Sequence, residues 1–383
     1  MSAARTDGPL GVGVIGCGNI SAAYLGFAPL FRDIEIRAVA DIDRRAAESR
    51  AAAFGVEAAE SVDALLARED VDIALNLTVP LAHAEVSRAA LEAGKHVFSE
   101  KPFVLSSEEG RALGALADER GLRLGSAPDT FLGAAQQRAR AALDAGAVGR
   151  VTGGTAHVLG PGLEHWHPNP RFFYRRGAGP MLDIGPYYVT ALVHLLGPIR
   201  RVVALAATPR TERPISSAPL AGETIDVEVP TTVHAVLEFV SGALVTLGTS
   251  WDVHQHGHGP IELYGERGTF YLPDPNYFGG EPRIGSGEAV PAALAADDHP
   301  FGVPNHEDAS GPVANYRSAG LADMARAIRD GRPHRCAHAL ALHAVETMNA
   351  VLEAAERGVA VELESVCERP AALDAEAARA LLV

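Results

Sequence analysis

Cysteine is scarce in this chain of 383 residues. Its three cysteines, Cys17, Cys336 and Cys367, lie far apart and form no CxxC pair. Zinc ribbons and disulfide frameworks depend on closely patterned cysteines, so this spacing excludes both classes. We therefore expect a reduced, cytoplasmic setting.

Positive charge and long apolar runs are also lacking. There are 33 Lys and Arg residues against 48 Asp and Glu, and the formal net charge is -15. This balance argues against nucleic acid and acidic membrane surfaces as partners, because both attract clustered positive charge. No stretch approaches the roughly 20 apolar residues that cross a bilayer, and the polar segment 1–9 predicts no signal peptide.

The chain has enough residues for two hydrophobic cores, and its first third has the pattern of a parallel α/β fold. Short apolar runs alternate there with helical patterns, which is typical of βαβ units. The predicted strands are 10–15, 35–40, 73–77, 96–99 and 122–125. The predicted helices are 43–54, 61–67, 83–93 and 106–120, and Ser106 and Glu109 have the capping-box spacing. We predict an α/β Rossmann dinucleotide-binding domain over residues 1–127.

Residues 128–383 have a different pattern, in which β-branched segments of period two are joined by glycine turns. The predicted strands are 151–159, 201–206, 232–239, 243–250 and 261–264. The predicted helices are 133–145, 183–196, 316–330 and 338–357, with loops at 208–230 and 278–312. We predict an α+β domain with a large open, mostly antiparallel sheet, whose final helices can pack back on the first domain. The bare face of that sheet predicts a homodimer or homotetramer.

A glycine-rich turn follows the first predicted strand and opens a helix. Residues 16–21, GCGNIS, fit the G-x-G-x-x-G pattern with Ser in the third place. Gly16 suits the tight turn, and Gly18 lets the backbone approach a pyrophosphate. Asn19 and Ile20 complete the turn, where a helix N-terminus provides amide donors to phosphates.

Asp41 ends the second predicted strand, about 25 residues after the turn begins, where a carboxylate binds the adenosine ribose. A carboxylate at this position repels a 2′-phosphate, so we expect NAD, with NADP less favoured. Arg44 and Arg45 are nearby and leave the alternative open, because either could reach a phosphate.

Several separate motifs resemble the Gfo/Idh/MocA family of oxidoreductases, named for glucose–fructose oxidoreductase and inositol dehydrogenase. The resemblance extends from about residue 10 to residue 363. It is carried by VIGCGNI (14–20) with AVAD (38–41), TVP (78–80) followed by His83, GKHVFSEKP (94–102), and GAGPMLDIGPY (177–187).

The resemblance implies contacts with the cofactor from Thr78, Pro80, His83, Glu100 and Lys101. It also implies that Lys101 touches the substrate hydroxyl beside the nicotinamide. An ammonium there stabilises alkoxide character as the hydride leaves. By analogy with the family, we expect a cis peptide bond between Lys101 and Pro102.

Asp183 and Tyr187 are four residues apart at the start of a predicted helix, which puts both side chains on one face. Most family members have Asp and His at these positions, whereas Tyr also occurs in the glucose–fructose oxidoreductase branch. A phenol can act as the acid or base if Lys101 and the nicotinium ring stabilise the phenolate. The alternative is that Tyr187 and Tyr188 are core aromatics.

Other residues are candidates for substrate binding. His165, Trp166, His167 and Asn169 combine hydrogen-bonding groups with an aromatic face, which suits a ring with several hydroxyls. Asp129 follows the last predicted Rossmann strand and is a further candidate.

Three alternating histidines, His254, His256 and His258, could ligate zinc, but no carboxylate or cysteine lies at a recognisable spacing. We therefore expect no bound metal.

Together these features predict an enzyme, an NAD-dependent oxidoreductase. It would transfer a hydride between the cofactor and a secondary alcohol or ketone of a sugar, sugar derivative or cyclitol. Two alternatives stay open: an NAD-using glycosidase that acts by transient oxidation and elimination, and a non-catalytic dinucleotide-binding regulator.

Overall fold

Buried apolar runs form the strands at the start of the chain in the computed structural model, which describes residues 8–308 and 311–383. The strands are β1 (Leu10–Ile15), β2 (Ile34–Ala40), β3 (Glu57–Ala58), β4 (Ile73–Asn76), β5 (His96–Ser99) and β6 (Leu124–Ser126). The helices are α1 (Ser21–Phe27), α2 (Arg44–Phe54), α3 (Val62–Leu66), α4 (His83–Glu92) and α5 (Ser107–Arg120). Residues 1–7, which are most of the polar N-terminal segment, and residues 309 and 310 of the predicted loop 278–312 lie outside the described residues.

Local sequence signals set where several of these helices begin. Asp43 and Ser61 accept backbone amides at the starts of α2 and α3. The predicted capping box at α5 is confirmed, because Ser106 and Glu109 each bond the other's backbone amide. These caps satisfy amides that have no partner within the helix.

The six strands form one parallel sheet among the described residues, in the order β3-β2-β1-β4-β5-β6. This is the order of a Rossmann dinucleotide-binding sheet. It places the carboxyl ends of β1, β2, β4 and β5 along one edge. The predicted Rossmann domain is confirmed at the level of fold.

The next part of the chain forms short helices and mostly antiparallel strands. The strands are β7 (Val151–Leu159), β8 (Ile199–Ala207), β9 (Glu212–Pro214), β10 (Thr224–Asp226), β11 (Thr232–Phe239), β12 (Leu244–Ser250), β13 (Ile261–Gly265), β14 (Gly268–Leu272), β15 (Arg283–Gly285) and β16 (Ala292–Ala293). The helices are α6 (Ala134–Asp144), α7 (Pro180–Asp183) and α8 (Gly185–Leu196). The elements after these are β17 (His306–Asp308), β18 (Gly311–Val313), α9 (Ala319–Asp330), α10 (His338–Arg357), β19 (Val361–Glu362) and α11 (Ala375–Arg379).

The large sheet is mixed. In the described residues its order is β16-β15-β14-β13-β7-β12-β11-β8-β19, and the β12–β7 pair is parallel while the other neighbours are antiparallel. The expectation of a mostly antiparallel sheet therefore holds in part. The exposed face includes Val203, Leu205, Val236 and Leu244, and the oligomer expected from it stays a prediction.

The predicted loops 208–230 and 278–312 contain strands, which is a correction. β9 and β10 pair as a hairpin within the first, and β15 and β16 extend the large sheet within the second. These strands are only two or three residues long, so their sequences are too short to show a period.

The chain divides into two compact units that are not contiguous in sequence. The first joins the N-terminal residues up to Ala134 to Asp297–Leu342 and Pro370–Val383. The second consists of Ala135–Ala296 and His343–Arg369. This differs from a simple division after residue 127, because β-bridges tie Gly125 to Ala337 and Phe31 to Leu382 within the first unit. Every helix in the described part of the chain is too short or too polar to cross a membrane.

Candidate active site

The turn between β1 and α1 requires glycine at its first position. Gly16 has φ +101°, and a Cβ on it would lie 2.6 Å from the carbonyl of Leu77 at the end of β4. Gly18 is exposed, and a Cβ on it would meet no atom within 4 Å. Asn19 is exposed beside it and Ile20 is half-buried. The turn therefore leaves open space where a diphosphate could approach backbone amides.

Asp41, directly after β2, is bonded to this turn. Its Oδ2 accepts the Cys17 amide at 2.7 Å, and its Oδ1 accepts the Asp43 amide at 2.8 Å. Each carboxylate oxygen can accept a further bond, so the group can still bind a ribose hydroxyl. Burial, and then the charge of Asp41, raise the pKa of the Cys17 thiol to about 11, which keeps the thiol neutral.

Three arginines lie near this turn in the sequence or in space. Arg44 pairs with Glu48 at 2.8 Å, so its guanidinium is already engaged at the helix surface. Arg45 donates its backbone amide to Asp43. Arg50, which the sequence analysis did not single out, donates from Nη2 to the Gly18 carbonyl at 3.0 Å.

The segment after β4 is held by buried polar side chains. Asn76 accepts the Thr78 amide and donates to the carbonyl of His83. The His83 ring is 1% exposed, with Nδ1 2.6 Å from the Pro102 carbonyl and Nε2 3.0 Å from that of Thr78. Burial lowers the pKa of His83, so the neutral ring donates to one of these carbonyls. His83 therefore links the partly exposed 78–80 segment, which includes Pro80, to the loop after β5.

Glu100 and Lys101 follow β5 directly. Glu100 is 6% exposed, and its Oε2 accepts the backbone amide of Lys101 at 2.8 Å. Tyr24 of α1 donates its hydroxyl to Oε1 at 2.8 Å. Lys101 is partly exposed, and the expected cis bond to Pro102 is confirmed. Lys101 thus lies at the sheet edge that also carries the glycine turn.

Asp129 lies in the interior of the first unit, against the start of α9. It is fully buried, and its Oδ2 accepts the amides of Ser318 and Gly320 at 3.2 and 3.1 Å, at the start of α9. Asp129 thus satisfies amides at a helix start, and its expected contact with a substrate stays a prediction.

Asp183 and Tyr187 lie in the second unit, and the predicted helix over 183–196 is present as α8 except for its first two residues. Asp183 is the last residue of α7, and α8 begins at Gly185. Pro186 is the physical reason, because its ring clashes with the carbonyl four residues earlier and it has no N–H. Asp183 is partly exposed and Tyr187 is 6% exposed. Ile184, between the two helices, keeps a right-handed helical conformation (φ −104°, ψ −25°), and the common face of Asp183 and Tyr187 stays a prediction.

The structure brings the four aromatic and polar candidates together on one segment of the second unit. Trp166 is 59% exposed, and its ring lies 5.4 Å from that of His167. His165 and Asn169 are exposed on the same segment. Ser217 donates to the His167 carbonyl at 2.6 Å and so connects the segment to the β9–β10 hairpin.

A buried ion network holds this hairpin, and no local pattern in the sequence indicated it. Arg213 is 0% exposed and donates to Glu164 at 2.7 Å, to the Trp251 carbonyl at 3.0 Å, and to Asp252. Tyr174 donates its hydroxyl to Glu164, and its ring lies 5.2 Å from the guanidinium. Burial acts to raise the pKa of Glu164, but the bonds from Tyr174 and Arg213 outweigh it, and the net pKa is lowered.

Two of the three alternating histidines, His256 and His258, lie close together beside His157. His258 stacks on His157 with ring centroids 4.1 Å apart, and the His256 ring lies 6.1 Å from that of His258. In the described ranges, no group of three or more His, Cys, Asp or Glu side chains could hold a metal ion.

Comparison with known protein families identifies both parts of the chain. Residues 10–127 match the family model described as "Oxidoreductase family, NAD-binding Rossmann fold". Residues 136–271 match the model "GFO/IDH/MocA C-terminal domain".

Individual relatives are named as sugar dehydrogenases or reductases. The chain is 34% identical over 245 residues to a dTDP-3,4-didehydro-2,6-dideoxy-alpha-D-glucose 3-reductase from Streptomyces violaceoruber, covering 62% of this chain and 69% of the relative. It is 27% identical to a D-xylose 1-dehydrogenase (NADP(+)) from Haloferax volcanii, and the match covers 92% of this chain and 99% of the relative. A solved structure described as levoglucosan dehydrogenase in complex with NADH and L-sorbose has a TM-score of 0.80 at 20% identity, covering 94% and 100%.

The Arg213 network predicts a large stability effect. Arg213→Met keeps the side-chain length but leaves two carboxylates buried without their cation, so the free energy of unfolding should fall by about 3–5 kcal/mol in urea titrations. The pKa of Glu164 in the folded protein is lowered from its ordinary value of 4.5. The difference in unfolding free energy between parent and variant should therefore be largest at neutral pH and should shrink as the pH falls below 4.5.

Arg171→Met is the matched control, because it removes an exposed ion pair to Glu223 of the same hairpin. It should cost no more than about 1 kcal/mol. Equal losses for the two variants would contradict the proposed importance of the Arg213 network.

Proposed function

The chain belongs to the Gfo/Idh/MocA family of NAD(P)-dependent oxidoreductases, and from that premise we propose the reaction that it catalyses. It transfers a hydride between NAD and a secondary alcohol or ketone of a sugar, sugar derivative or cyclitol. The observation that carries the proposal is the shared edge of the parallel sheet. The glycine turn, bonded to Asp41, and the partly exposed Lys101 both lie at that edge.

The cofactor supplies the hydride acceptor, and the residues of the first unit hold it. Gly16 and Gly18 let the backbone approach the diphosphate. Asp41 accepts hydrogen bonds from the adenosine ribose. Ile42 is fully exposed beside Asp41 and offers an apolar surface of the kind that packs against an adenine ring.

Lys101 acts on the reacting alcohol. Its ammonium stabilises negative charge on the oxygen as the hydride leaves, an effect that is strongest where water is excluded. Asp183 orients the substrate by hydrogen bonding, and Tyr187 exchanges the hydroxyl proton. The exposed His165, Trp166 and Asn169, with the half-buried His167, bind the remainder of the sugar ring.

Sugars are supported as the substrate class by the names of the relatives, which include a reductase of a dTDP-linked sugar and a xylose dehydrogenase. NAD is favoured over NADP by Asp41 and by the engagement of Arg44 with Glu48. The xylose dehydrogenase is NADP-dependent by name, which makes the cofactor preference a point to measure.

The function is tested by screening aldoses, cyclitols and glycosides with NAD and following NADH absorbance. The parent should reduce NAD with at least one sugar. Lys101→Ala should lower kcat by at least about 10²-fold while NAD affinity stays near normal, because the charge acts mainly in the transition state. Lys101→Arg should not restore activity, because a planar guanidinium has a different shape from an ammonium.

Two outcomes would overturn the proposal. Glycoside cleavage without net NADH would indicate the glycosidase alternative, which regenerates its cofactor. Binding of NAD with no turnover of any tested sugar would indicate a regulator.

The cofactor preference is tested by calorimetric titration with NAD and NADP. The parent should bind NAD at least tenfold more tightly, about 1.4 kcal/mol. Asp41→Asn keeps an acceptor for the Cys17 amide but removes the charge, so the preference should shrink. Asp43→Ser preserves the cap of α2 and should change the preference less. Equal affinity of the parent for NAD and NADP would contradict the role assigned to Asp41. It would indicate that Arg45 or Arg50 binds the 2′-phosphate of NADP.

The proton-transfer role is tested by Tyr187→Phe, which keeps the ring and deletes the phenol oxygen. The kcat of the variant should fall by a factor of about 10²–10⁴, with a small change in melting temperature. Tyr188→Phe is the neighbouring control, because the buried Tyr188 phenol is bonded to Asp274. It should lower the melting temperature and leave kcat unchanged. A Tyr187→Phe enzyme as active as the parent would rule Tyr187 out.

A further inference from the structure

The backbone of Lys101 is held by the side chain of the residue before it. Glu100 turns back into the first unit, and its Oε2 accepts the Lys101 amide at 2.8 Å. The other oxygen, Oε1, accepts the Tyr24 hydroxyl at 2.8 Å and lies 3.5 Å from Nη1 of Arg317. One carboxylate therefore joins α1, the loop after β5 and the segment that precedes α9.

A carboxylate in this position needs a positive partner. Glu100 is 6% exposed and Arg317 is nearly as buried, with 12% of its side chain exposed. A second carboxylate, the fully buried Asp129, also interacts electrostatically with Arg317 and with Glu100. Removing the guanidinium would take away the cation that faces both buried acidic side chains, and Glu100 would lose one of the groups that hold its Oε1 in place.

Tyr24 adds a neutral hydrogen bond to the same oxygen. Burial, and then the charges of Glu100 and Asp129, raise the pKa of the Tyr24 phenol well above its ordinary value. Tyr24 therefore stays a donor and cannot replace the charge of Arg317.

The position of Arg317 is set by the turn that follows it. Ser318 has φ +89°, in the left-handed region that a residue other than glycine rarely adopts. Asp129 accepts the amides of Ser318 and Gly320 and so holds this turn. A Cβ on Gly320 would lie 2.8 Å from Cβ of Asp129. The close packing at the start of α9 thus fixes where the Arg317 side chain begins.

We propose that Arg317 is a positioning residue for Lys101, acting through Glu100. Asp129 holds the turn at Ser318, this turn directs Arg317 to Glu100, and Glu100 fixes the Lys101 amide. The inference rests on the proposed function, because it explains how the ammonium of Lys101 is kept where a substrate oxygen would meet it. Misplacement of a reacting group by about 1 Å can cost about 100-fold in rate.

The direct test measures hydrogen–deuterium exchange of the Lys101 amide in the full-length protein, which needs no substrate. Arg317→Met keeps the side-chain length and removes the charge. It should speed exchange at Lys101 at least about tenfold, while the amides of β1 stay protected. Arg317→Lys should recover part of the protection, because the ammonium restores a charge but not the geometry of the guanidinium.

Arg329→Met is the matched control. Arg329 lies on α9 and pairs with Asp33, whose side chain is 2% exposed, so this variant also removes a cation from a buried carboxylate. It should lower stability without changing exchange at Lys101. Unchanged exchange at Lys101 in Arg317→Met, or an equal rise in the Arg329→Met control, would overturn the proposal.

The kinetic test uses the sugar that the parent oxidises in the screen. Arg317→Met should lower kcat about 10- to 100-fold and change the Kd for NADH less than about twofold. A parallel loss of NADH affinity would show general damage and contradict a positioning role. If no sugar is oxidised, the proposed function fails, whereas the exchange measurement still decides whether Arg317 holds Lys101.

Discussion

Backbone groups just beyond the ends of the parallel strands have no partner in the sheet, and the first unit is arranged around satisfying them. Buried N–H and C=O groups must be paired, and here side chains pair them. Asp41 accepts the Cys17 amide and Glu100 accepts the Lys101 amide. Asn76 accepts the Thr78 amide in the turn after β4. The same bonds fix the backbone where a dinucleotide and the reacting alcohol would lie. Fold stability and the candidate chemistry therefore depend on one set of hydrogen bonds.

The second unit meets a comparable demand with charge. The β9–β10 hairpin packs Ile225 and the adjoining Ile215 against Tyr174 and Trp251. Beside them, Arg213 holds the hairpin by bonding Glu164 and Asp252 in a buried site. Charges brought together away from water interact strongly, but each is costly once its partner is lost. Glu164 of this network lies two residues before the exposed Trp166, so the network anchors the segment that carries this ring. An anchored aromatic face suits recognition of a sugar ring.

Features set by a few neighbouring residues could be predicted from the sequence. The capping box of α5, the glycine turn and Asp41 each follow from residues close together in the chain, and the Rossmann sheet follows from repeated local patterns. Pro186 also encodes locally the break between α7 and α8, which separates Asp183 from the rest of the predicted helix. The strands within the predicted loops were missed because two or three residues show no period.

The sequence by itself determined the family, the Rossmann fold of the first unit and the positions of the glycine turn and Lys101. Only the tertiary structure decided which buried groups support them. Arg317 lies 217 positions from Glu100 in the chain, and Asp129 lies 189 positions from Ser318. No local pattern relates residues so far apart, because their pairing depends on chain segments that meet only after the core has formed. For the same reason only the tertiary structure shows that Asp129 accepts the amides of Ser318 and Gly320, at the start of a helix that lies far along the chain.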